Sequence, residues 1–280
     1  MLRIFYYEIL KTFLKKRTYI GYGLLIVIIP LIEVAFKLQG SNFLSVAMRG
    51  LSKDFFFAGN FFNGWLVAHQ IMNSLWFHIP LLISFVAGDQ LAGEATAGTY
   101  RLLLVHPPSR SVIFFSKYLV TLFYTMTFVL FLAALSIGLA LLLLGSGDLI
   151  VIASGGVIIV FSENDIAWRF CVAYAIALWT MLTIASISVF FSSFVENAIG
   201  PIVATMGTLI IFTIISTMPV QMFEAVKPFL FTTYMDAWMK VFSDPIPWNE
   251  IFTSILCYGV YNAVACLAAW FVFVRKDILT

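Results

Sequence analysis

Charge is what this chain has least of. Aspartate, glutamate, lysine and arginine make up 11% of its 280 residues, less than half the share of about 25% usual in soluble domains. Sixteen basic and 14 acidic side chains cannot coat a water-soluble body of this size. A formal net charge of +2, with no long basic tract, is too small to suggest a nucleic-acid surface, and no nucleic-acid partner is expected. Cysteine is also scarce. Cys171, Cys257 and Cys266 fall inside apolar runs without Cys-x-x-Cys spacing, so they read as small buried side chains rather than a disulfide framework or a zinc site. His69 and His78, nine residues apart, lie on opposite sides of an ideal helix, and His106 has no neighbouring ligand type, which leaves no metal or haem pair. HExxH, GxSxG and the phosphate-cradling GxxxxGK[ST] are all missing, so the chain is not itself a P-loop ATPase. The N-terminal stretch lacks the apolar run and cleavage site of a secretory signal peptide and is expected to stay on the mature chain.

What is abundant is apolar, at 62% of the residues. Runs free of all four charged types extend over Phe55–Gly88, Tyr118–Gly147, Phe170–Val195, Asn197–Phe223 and Ile251–Val274, which is 34, 30, 26, 27 and 24 residues. Each exceeds the roughly 20 residues a helix needs to cross hydrocarbon. A sixth run, Tyr19–Phe36, is broken only by Glu33 near one end, where a long side chain is expected to reach the interface. Backbone groups in lipid need internal partners, so runs of this length must be helices. Barrel strands would be near 10 residues with strict alternation. The expected fold is therefore an all-α integral membrane protein over residues 1–280, a single domain with six transmembrane helices. Pro30, Pro80 and Pro201 mark a kink or a helix end in or beside three of these spans.

Basic residues set the expected orientation, because short cytoplasmic segments collect them. Ten lie in the alternating set that includes both termini and the segment around residues 101–117, against six in the other set. Counting acids, the two sides carry net charges of +5 and −3. Both termini are expected in the cytoplasm. Residues 1–18 place Phe5, Ile9 and Phe13 at helical spacing ahead of Lys15, Lys16 and Arg17, the pattern of an interfacial helix or of a charged lead-in for insertion. Residues 219–250 form a long extracytoplasmic connection whose aromatics, Phe223, Phe229, Phe231, Tyr234, Trp238 and Phe242, are expected to be partly embedded, as are Phe55, Phe56, Phe57, Phe61 and Phe62. Asp148, Glu163 and Asp165, among Gly145, Gly147, Gly155 and Gly156, read as a plain outer loop.

Two polar constellations remain. On a continuous helix Asn60, Asn63, Gln70 and Asn73 fall within an arc of about 140°, so the second span has one polar face. That face suits hydrogen bonds between helices and equally the wall of a substrate path. The second constellation is GEATAGTYRLLLVHPPSR, residues 93–110, inside a cytoplasmic segment spanning 89–111. If helical, Glu94, Gly98 and Arg101 share one face, Pro107-Pro108 ends the helix and Ser109 caps the next. Such a projection suits either a partner or lipid phosphate.

Glu94-x-x-x-Gly98-Thr99, then Leu102-Leu103, Pro108-Ser109-Arg110 and Lys117, resembles the segment of ABC-2 type exporter permeases that reads E-x3-G-T, LL, P-x-SR or PxxR and a following lysine. The resemblance covers essentially the whole chain. It implies a coupling helix between spans two and three that fits a cleft on a separate ATPase, with Glu94, Gly98, Thr99, Arg101, Pro108 and Arg110 as coupling residues. It also implies two ATPase subunits and a second permease chain as partners, ATP and magnesium held by those ATPases, no cofactor in this chain and no catalysis by it. A bacterial inner membrane is the expected location. An ion-coupled secondary transporter and a noncatalytic scaffold or sensor are the alternatives.

Overall fold

The computed structural model describes residues 2–47, 62–99, 109–152 and 158–276. The protein is a mostly helical multi-pass membrane protein. Among these residues its helices are α1 (Leu2–Leu14), α2 (Thr18–Ala47), α3 (Gly64–Leu75), α4 (His78–Ala87), α5 (Asp89–Thr96), α6 (Arg110–Leu144), α7 (Glu163–Phe194), α8 (Gly200–Thr217) and α9 (Trp248–Arg275). Five of them, α2, α6, α7, α8 and α9, are long and apolar enough to cross a membrane. The pair α3 and α4, bent by 59°, supplies the sixth crossing.

The prolines act as backbone chemistry requires. Pro80 lies in the first turn of α4, where its missing N–H and its ring disrupt pairing with the carbonyl of residue 76, and the break falls at Trp76 and Phe77. Pro201 occupies the start of α8, where the N–H has no intrahelical partner anyway. Pro30 stays inside α2. Ser109 caps α6 by accepting from the Val112 N–H at 3.4 Å, and Gly145 at φ +74° ends it.

α6 and α7 form the centre of the bundle. α7 packs most extensively on α9, and α6 contacts α1, α2, α3 and α7. A polar thread crosses the apolar interior: the Tyr118 and Ser186 hydroxyls meet at 2.9 Å, Ser186 donates to Asn262 Oδ1 at 2.7 Å, and Asn262 donates to Thr183 at 3.0 Å. In hydrocarbon such bonds hold helices in register.

At the end of the bundle away from the termini, a plain loop was expected around Asp148 and Glu163. The chain instead forms an antiparallel hairpin, β1 (Leu149–Ile152) with β2 (Ile158–Phe161), pairing Leu149 with Phe161 and Ile152 with Ile158. β-Branched and aromatic runs favour that pairing over loop. Residues 219–250 wind through four 3₁₀ turns that bury Phe231, Trp238 and Phe242 against the bundle, leave Phe223 and Tyr234 half-buried and leave Phe229 exposed. Arg169 fastens this connection, donating to the carbonyls of Val241 at 2.6 Å and Ser243 at 3.2 Å beneath the Phe161 ring.

Two expectations are corrected. Glu33 does not reach an interface: it continues the Leu25–Ile29 stripe of α2 into the interior, is fully buried, and neither carboxyl oxygen has a hydrogen-bond partner among the described residues. The cysteines are free but not buried. Cys171 is exposed and Cys257 and Cys266 are intermediate, because the spans are apolar on several sides and an apolar neighbourhood in sequence does not mark the inward face. Phe55, Phe56, Phe57 and Phe61 lie outside the described residues.

Candidate functional site

The polar chemistry of the molecule concentrates where α1, α5 and the start of α6 meet. Glu8, Lys11 and Thr12 in α1, with Lys15 just past its end, recur at helical spacing and form a polar stripe. Tyr6, Tyr7, Leu10 and Leu14 are exposed on the outside of the same helix. The stripe packs inward because it has partners there. Lys117, 2% exposed, holds Glu8 Oε2 at 2.8 Å and Glu94 Oε1 at 3.0 Å. Lys11 reaches the same Glu94 oxygen. Asp89, at the start of α5, pairs with Lys15 at 2.9 Å and with Arg17. Gln90 donates to the Thr12 hydroxyl at 3.4 Å.

Burial opposes the ionisation of Glu94, but Lys117, Lys11 and the Thr99 hydroxyl outweigh it and hold the carboxyl down at about 2. A carboxylate in this position is charged at every physiological pH. Its role is that of an anchor rather than of a proton carrier.

The expected helix through Glu94, Gly98 and Arg101 is corrected. α5 stops at Thr96, and Gly98 takes φ +66°. Two backbone bonds explain the stop: Gly98 N–H donates to Ala95 O at 3.0 Å and Thr99 N–H to Glu94 O at 3.1 Å. This is a Schellman closure, which places a left-handed residue, usually glycine, directly after the helix. The Thr99 hydroxyl also donates to the Glu94 carboxylate. Glu94, Gly98 and Thr99 are thus parts of one helix terminator, so their spacing follows from the turn itself. A Cβ at Gly98 would meet nothing within 4 Å among the described residues.

Arg110 turns back into the chain, donating to Val274 O and Lys276 O at 2.9 Å each, and so satisfies carbonyls at the C-terminal end of α9. Arg101 and Pro108 lie outside the described residues, as does Asn60. Asn63 is not on a helix face: it is the N-cap of α3, accepting from the N–H groups of Trp65 at 3.0 Å and Leu66 at 3.2 Å and donating to Asp148 O at 2.7 Å. Gln70 and Asn73 remain on α3, half-buried and one turn apart. The structure therefore does not join Asn63 with Gln70 and Asn73 into a single helical stripe.

Sequence reasoning missed the α1 side of the cluster. The signal was available in the i, i+3, i+4, i+7 spacing of Glu8, Lys11, Thr12 and Lys15, hidden by the apolar residues of the opposite face. It also missed the Ser186–Asn262 thread, whose members are far apart along the chain. Among the described residues no group of three or more His, Cys, Asp or Glu could hold a metal ion.

The model of a family described as protein of unknown function (DUF2705) matches residues 19–279. No curated protein matches the chain.

Proposed function

This chain belongs to the DUF2705 family, and we propose that it is the membrane-spanning permease subunit of an ATP-driven exporter of the ABC-2 type. Two such chains form the substrate path, and two separate ATPase subunits supply ATP, magnesium and motion. Glu94, Gly98 and Thr99 shape the end of α5 that receives the motion, and Arg101 and Pro108 extend that docking segment. Arg110 ties its far end to α9. Both termini and the docking segment face the cytoplasm of a bacterium, and the protein sits in its inner membrane.

The observation that carries this reading is the buried Lys117 with its two carboxylates, Glu8 and Glu94. Charges are costly to bury and keep their position only when geometry and hydrogen bonds are good. Here they fasten α1, α5 and α6 into one body at the end of the bent α3–α4 span. A force applied at the Gly98 turn then reaches three helices at once instead of dissipating in a loop. The sequence has no phosphate-binding loop of its own, so an ATP-driven cycle draws its nucleotide from another chain.

Co-purification from membranes with an ATP-binding protein, and stimulation of its ATPase on reconstitution, test the reading. Gly98→Trp should abolish stimulation, whereas Gly98→Asn, which tolerates the left-handed conformation, should retain much of it. Full stimulation in a correctly inserted Gly98→Trp chain would count against docking at this turn. An ion-coupled transporter is a second reading, favoured by Glu33, since an unpartnered carboxyl within a span is rare outside ion pathways. It predicts uptake driven by an ion gradient without any ATPase.

A further inference from the structure

The backbone between α4 and α5 contains an inserted side chain. A continuous helix through Gly88 would pair its carbonyl with the Ala92 N–H. At this pair the hydroxyl of Ser192, on α7, donates to Gly88 O at 2.5 Å and accepts from Ala92 N–H at 2.9 Å and Leu91 N–H at 3.2 Å. One hydroxyl therefore bridges the carbonyl and the amides at the head of α5 and caps α5 from a neighbouring helix. A side chain inserted in this way is a recognised cause of a helix break. Gly88 lets α8 approach closely: a Cβ there would stand 2.8 Å from Ser84 O and 3.2 Å from Pro201 Cβ. Gly88 also keeps helical angles, φ −66° and ψ −27°, so the chain passes from α4 into α5 without leaving helical backbone.

We propose that Ser192 is the positioning residue of the docking arm: its hydroxyl sets the angle of α5 to α4 and hands the motion of α5 to α7. This rests on the permease reading for its transport consequence, but the wedge itself does not. The path beyond Ser192 is rigid, because α7 is bound to α9 through Ser186 and Asn262 and through Trp179, which donates to Ile255 O at 3.1 Å. With the wedge in place, α5 lies against the turn after α7. Thr96 donates to Glu196 O at 2.9 Å and accepts from Ala198 N–H at 3.3 Å. Withdrawal would swing the arm off that turn. One hydroxyl shared between α7 and the head of α5 gives mechanical coupling a direct physical route.

Spin labels on Ala97→Cys and Ile199→Cys, both exposed positions, report the arm's distance from that turn in the full chain in vesicles, with the native cysteines replaced. Ser192→Ala should add a second, longer distance population and abolish ATPase stimulation. Ser192→Thr, which restores a hydroxyl, should return both. Ser188→Ala should change neither, since Ser188 meets Ser84 O at 3.4 Å one turn away and enters no ladder. If Ser192→Ala fails to insert, Ser192→Cys carries the same test, a thiol being a weak hydrogen-bonding group. An unchanged distance distribution in a folded variant overturns the wedge. A shifted distribution with intact stimulation overturns the hand-over of motion. Absence of any ATPase partner for the wild-type chain would instead count against the permease reading, and the distances would still judge the wedge.

Discussion

Glu94 is the residue around which the charges at the terminal end of the bundle are arranged, and its ionisation has a consequence for acid stability. Its carboxyl is held at about 2 in the folded chain against an ordinary value of 4.5. The unfolded chain therefore binds the proton first as pH falls, and the stabilisation is complete above pH 4.5 and is lost progressively towards 2. Thermal unfolding in detergent between pH 6 and 2, roughly spanning that window, should show a wild-type midpoint that falls more steeply than that of Glu94→Gln. The variant should start lower at neutral pH, because it leaves Lys117 with one carboxylate in place of two. Parallel curves would mean that the Lys117 contact contributes nothing to folding. The sequence displayed Glu94 and Lys117 as separate features 23 positions apart. Their contact, and the addition of Glu8 from the other end of the chain segment, became visible only in three dimensions.

At the scale of elements, local chemistry set most boundaries and tertiary contacts reassigned several residues. Ser109 at the head of α6 and Pro201 at the head of α8 were readable as punctuation because caps and prolines act within a few residues. Asn63 was read as a face residue for want of knowing where α3 begins. As N-cap it satisfies two N–H groups and also ties α3 to the connection before β1 through Asp148 O. Asn63→Ala should destabilise the protein by about 1 kcal/mol or somewhat more and loosen the end of the bundle that carries the hairpin. Hydrogen exchange at Trp65 and Leu66 would read this as faster amide exchange, and unchanged protection would show that the cap is dispensable. α5 is the opposite case. Composition suggested a helix running on to Arg101, but Gly98 followed by Thr99 closes it early, a motif recognisable only once the two backbone bonds are seen.

For the whole molecule, six crossings put α1, the Gly98 turn and the end of α9 at one end of the bundle, as the Lys117–Glu8 and Arg110–Val274 contacts require. The permease reading further needs that end to face the cytoplasm. In a chain freed of native cysteines, Gly98→Cys should resist a membrane-impermeant thiol reagent in intact cells and react after permeabilisation, while Phe229→Cys, at an exposed position in the far connection, should react in both. The reverse pattern would remove the turn from any cytoplasmic ATPase. The number of crossings and the placement of both termini at one end followed from sequence alone, because the length of an apolar run is compared with a fixed hydrocarbon thickness, a one-dimensional measurement. Which faces meet did not follow. Spans that are apolar on most sides carry no direction, so the inward turn of Glu33, the exposure of Cys171 and the gathering of Glu8, Glu94 and Lys117 were decided by packing, where each polar group had to find a partner or do without one.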